Sequence, residues 1–143
     1  MGDDIVYEHQ TANQEKMLAR FATDAAYSLG VLVLQHRKTK DLEEICSTMK
    51  NLFLSVNDDS LFPSRKYEWW KNNLVALTYI TEYFRKREED SEQMTERLLA
   101  CVSAIEQDRG EETRKAAEYL SEIFGIISDK IRGKYRTEEI VVN

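Results

Sequence analysis

Apolar side chains recur at every third or fourth position through most of this chain, in five runs separated by short polar turns. That spacing places them along one side of a helix and does not match the strict alternation of a half-buried strand. Composition agrees, because one Pro and five Gly in 143 residues are too few for a fold rich in tight turns. The pattern predicts an all-α, single-domain antiparallel bundle of about five helices over residues 11–133. Residues 1–10 and 134–143 lack a sustained period and are expected to be flexible tails. A domain of this size can bury a core without disulfide or metal support.

The longest and most aromatic run covers residues 63–87. At about 100° per residue, Tyr67, Trp70, Leu74, Leu77 and Phe84 share one face, and Trp69, Ala76, Ile80 and Tyr83 form a second stripe beside it. Two apolar stripes on one helix need two sets of neighbours, so this helix is expected at the centre of the bundle. Either flanking helices bury both stripes, or the side stripe stays partly open as an interface. Trp and Tyr favour interface hot spots, and Ala76 leaves room for close approach. On that basis Trp69, Ala76, Ile80 and Tyr83 are the candidate interaction residues.

Four further helices follow from capping and periodicity. Thr11 with Gln14 has the form of a capping box, and Met17, Leu18, Phe21, Ala22, Ala25, Leu29 and Leu32 carry a stripe to about residue 35. Gly30 and the run Val31-Leu32-Val33-Leu34 would also suit a break and a strand, yet no strand-like run lies nearby to pair with it. Asp41 opens a second helix to about Val56, with Leu42, Ile45, Cys46, Met49, Leu52 and Phe53 inward. Asp90 caps a fourth, built on Met94, Leu98, Cys101, Val102 and Ile105 and ending near Gly110. The fifth places Ala116, Leu120, Ile123, Phe124, Ile127 and Ile131 inward and is expected to stop at Gly133. Short turns should set sequence neighbours antiparallel.

A net charge of −6, with both signs interspersed, argues against nucleic acid as a partner and against a membrane footprint. No uninterrupted apolar run reaches the length of a membrane span, and the acidic start differs from a targeting peptide. Cys46 and Cys101 lie on the apolar sides of separate helices and are expected as buried free thiols. These features predict a cytoplasmic protein.

Candidate chemistry is sparse. His9 and His36 stand apart from any Glu-x-x-His or H-E-x-x-H spacing, and Gly-rich phosphate loops, CxxC pairs and a G-x-S-x-G elbow are missing. Acidic pairs at Glu43-Glu44, Glu88-Glu89-Asp90 and Glu111-Glu112 fall at helix starts, where negative charge is stabilising in itself. Basic clusters occur at Arg37-Lys38-Lys40, at Arg85-Lys86-Arg87, and at Lys130, Arg132, Lys134 and Arg136. Two of these clusters fall at helix C-termini, which accounts for cations unless the clusters converge in space. No catalytic residue, metal ligand, cofactor or small-molecule substrate is implied. The expected function is a non-enzymatic protein–protein interaction module, such as an adaptor, chaperone, inhibitor or immunity-type protein, binding a protein partner or a second copy. The alternative is a small magnesium-dependent enzyme acting on a phosphorylated ligand through carboxylates.

Overall fold

A computed structural model describes the backbone of residues 2–57, 74–87 and 90–142, and side chains across 11–56, 74–87, 90 and 92–136. Five helices make up this part of the chain: α1 (Gly2–Gln35), α2 (Leu42–Asn57), α3 (Leu74–Lys86), α4 (Ser91–Gln107) and α5 (Glu111–Val142). Among the described residues there is no strand, so the all-α bundle expected from periodicity is the observed fold.

The two longest helices pair with each other. α1 has 34 residues and α5 has 32, and they share the most extensive packing of any two elements. α1 contributes Leu18, Phe21, Ala22, Ala25 and Leu29, and α5 answers with Ala117, Leu120, Phe124, Ile127 and Ile131. Cross-links fix an antiparallel register: Ser121 Oγ donates to Ala26 O at 3.1 Å, Thr23 Oγ1 and Ser128 Oγ are 2.8 Å apart, and Tyr135 Oη reaches Ala12 O at 3.4 Å. Phe124 sits at the meeting point of three helices. Its ring meets Phe21 edge-on at 5.5 Å and Phe53 of α2 at 6.1 Å, geometries the aromatic quadrupole favours.

α2 packs chiefly on α4, and α4 packs almost as extensively on its sequence neighbour α5. The two leading pairings, α1 with α5 and α2 with α4, join helices that are not sequence neighbours.

Helix ends follow local chemistry. Asp90 caps α4 as expected, its side chain accepting from Glu92 N at 3.0 Å. Asp108 takes the left-handed conformation at the other end (φ 54°), Gly110 follows at φ 62°, and His36 closes α1 at φ 53°. Thr113 then ties α4 to α5, accepting from Arg109 N and donating to Ala104 O at 2.8 Å.

Two expectations need correction. Thr11 does not begin α1, which starts at Gly2; no Gly or Pro lies between residues 3 and 11 to stop the helix upstream. Gly133 does not end α5, because one mid-helix glycine costs only about 1 kcal/mol and Tyr135 packs on the core just beyond it. Of the helix expected over 63–87, the described part is α3, and among the described residues the most extensive packing is between α1 and α5. Residues 63–73, including Trp69 and Trp70, lie outside the described residues.

Candidate functional site: a cationic groove between α1 and α5

Ala76, Ile80 and Tyr83 do form one stripe of α3, and that stripe faces the core, with exposures of 0, 2 and 6%. Leu74, from the stripe expected to be the main one, is 72% exposed. Phe84, of the same stripe as Leu74, is buried at 2%, so α3 packs Ala76, Ile80 and Tyr83 inside together with part of the neighbouring stripe. Arg87 closes over the outer side of Tyr83, its guanidinium 3.5 Å from the ring centre. Burial, the Tyr119 neighbourhood and the loss of water push the Tyr83 phenol up to about 12. Trp69 is outside the described residues.

Polar chemistry concentrates instead along α1 and α5. Glu15 is 4% exposed and falls in step with Leu18, Ala22, Ala25 and Leu29, so helix geometry carries a carboxylate into the core stripe. Three donors meet it there: Tyr79 Oη at 2.7 Å, Tyr135 Oη at 2.9 Å, and Lys134 Nζ at 3.0 and 3.1 Å. Burial alone would raise its pKa, yet the hydrogen bonds from Tyr79, Lys134 and Tyr135 outweigh burial and hold the carboxyl below its usual range. Tyr79 responds in the opposite sense, pushed upward by burial and by the adjacent carboxylate. One acid thus joins α1, α3 and α5.

Beside this clamp, α1 and α5 leave a groove of about 530 Å³ lined by Lys16, Arg20, Thr23, Asp24, Arg132 and Arg136 over a floor of Ala19 and Ile131. Its four cations are all exposed. Lys16 and Arg20 lie one helical turn apart, as do Arg132 and Arg136, and the antiparallel register sets the two pairs on facing walls. Arg132 is steadied by Thr23 Oγ1 at 2.9 Å. Four positive side chains against one carboxylate give the groove a positive field on a chain that is acidic as a whole.

The groove opens onto a longer stripe. Lys16, Arg20, Tyr27 and Leu34 fall within a narrow arc of α1, and Tyr27 and Leu34 are 66 and 82% exposed. Both stand on the side of α1 that borders the groove. Residues 11–35 also make α1 long and apolar enough to cross a membrane by length and composition, the only such helix among the described residues, with half of that window buried inside the bundle.

Of the three basic clusters, the second and third meet at Glu82, which takes Lys86 at 3.4 Å and Lys130 at 3.9 Å. Arg132 and Arg136 enter the groove, Lys134 turns to Glu15, and Lys38 pairs with Asp108 at 3.7 Å. Sequence reasoning singled out the α5 half of the groove and missed Lys16, Arg20 and Glu15. Glu15 had a legible signal, an acid at a core position of the stripe. Lys16 and Arg20 had none, since isolated cations on an outer face are ordinary. Glu43-Glu44 and Glu111-Glu112 occupy first turns as expected, and among the described residues no group of three His, Cys, Asp or Glu side chains gathers to hold a metal. Cys46 and Cys101 are both unpaired, Cys46 buried and Cys101 partly so. Burial pushes the Cys46 thiol up to about 12, which suits packing rather than nucleophilic chemistry. Comparison with protein-family models, with curated proteins and with solved structures returned no match to this chain.

Proposed function

We propose that this chain is a non-enzymatic protein-interaction module, of adaptor, chaperone, inhibitor or immunity type, that works inside the cell. It holds a protein partner, or a second copy of itself, along the outer face of α1 and the adjoining groove. The observation that carries this is the uncovered stripe Lys16, Arg20, Tyr27 and Leu34 on a helix whose opposite side is the heart of the core. Two unpaired cysteines suit a reducing compartment.

A photo-crosslinking side chain at position 27, in cells that make the protein, tests the proposal. Illumination is expected to give a discrete adduct that is absent when the same group stands at Lys50, an exposed site on α2. An adduct of twice the chain's mass identifies the partner as a second copy. The same diffuse pattern from both positions would overturn the proposal.

A further inference from the structure

We infer that the groove accepts an acidic helix of the partner protein, laid along α1 and α5. This rests on the interaction-module proposal and adds the chemistry of what is bound. The walls supply the reason. Lys16 and Arg20 on one side, and Arg132 and Arg136 on the other, each repeat after four residues, a rise of about 6 Å. Carboxylates one turn apart on a helix repeat at that same rise, so two of them meet two cationic rungs without distortion. Further along α1, Tyr27 stands seven residues beyond Arg20, and Leu34 seven beyond that. A docked helix therefore carries its acidic pair at one end and apolar side chains two and four turns onward, facing Tyr27 and Leu34.

Two other anionic occupants fit less well. A single-stranded nucleic acid needs aromatic faces on which to stack. Here the aromatic lining the groove, Tyr135, is half-buried, with its hydroxyl on Glu15 and the ammonium groups of Lys16 and Lys134 at 5.5 and 5.8 Å from its ring centre, which leaves Tyr27 as a single open ring for successive bases. A small anion would be held only by the flexible ends of exposed cations over a floor of Ala19 and Ile131, whereas small-molecule sites enclose most of their ligand.

The test uses the full chain and a labelled synthetic alanine-rich helical peptide, with two glutamates one turn apart and leucines two and four turns beyond the second. Fluorescence anisotropy is expected to show binding that weakens with salt. It should be about tenfold weaker for the peptide with lysines in place of the glutamates, and weaker by at least as much for an Arg20→Glu/Arg136→Glu chain. Lys50→Glu should change nothing. Circular dichroism of the double variant should match the parent, since both arginines are exposed. Equal binding of the two peptides, or undiminished binding by the double variant, would overturn the inference. So would displacement of the peptide by an equal concentration of oligo-deoxythymidine. If the peptide fails while the adduct at position 27 still forms, the module survives and the acidic-helix occupant does not.

Discussion

Glu15 occupies a position where the stripe of α1 calls for leucine, and it is tolerated because every side of its carboxylate is met by a donor. Removing charge there leaves Lys134 and two phenols with a weaker acceptor. Glu15→Gln is expected to cost about 2 kcal/mol at neutral pH, measured by urea denaturation. The pH dependence has a definite sign. The folded-state pKa lies below the ordinary value of 4.5, so this stabilisation is fully present above that value and is lost as pH falls through the folded pKa. The gap between parent and variant should therefore narrow between pH 7 and pH 3; a gap that stays constant would mean the carboxylate charge contributes nothing.

At the scale of single elements, α1 illustrates what periodicity can and cannot decide. Its existence was legible, since Leu18, Phe21, Ala25 and Leu29 keep step across the whole core contact. The Gly30-Val31-Leu32-Val33 stretch, which could have been a strand, is helical because Val31 and Leu32 continue the buried side. The ends were harder to see. A capping pattern at Thr11 and a glycine at Gly133 are local signals, and both yield to a helix with something to pack against further on. For α3 the sequence left burial of the side stripe or an open interface as alternatives, and Ala76, Ile80 and Tyr83 are buried beside Phe84 while Leu74 is exposed: periodicity finds the apolar arc of a helix, while neighbours decide which edge of that arc is innermost. Gly30 offers a clean test of the helix. A methyl group added there meets nothing within 4 Å, so Gly30→Ala should stabilise by about 1 kcal/mol and raise Tm by roughly 2–4 °C. A loss of stability would show that the backbone at this point is not regular helix.

Over the whole molecule, the arrangement of helices was the least legible feature. Short turns suggested that neighbours pack together, as α4 and α5 do, yet α1 packs chiefly on α5 and α2 on α4. The candidate groove inherits that difficulty, because its walls come from opposite ends of the described chain; Thr23 and Arg132, in hydrogen-bond contact, are 109 positions apart. The same arrangement ranks the helices by how firmly they are held. In native-state hydrogen exchange, amides of residues 21–29 and 120–127 should exchange on the order of 100-fold more slowly than those of 76–84 in α3. Equal protection across all three segments would mean that α3 is held as firmly as the α1–α5 pair. The pairing of α1 with α5 also sets an order of events during synthesis. A ribosome completes the oily side of α1 long before it has made the segment that covers it, and that side must wait, wet or chaperoned, until α5 emerges. It is α5 that seals this side, and a nascent chain stalled before Glu111 would be left with Leu18, Phe21 and Leu29 uncovered by their partner helix.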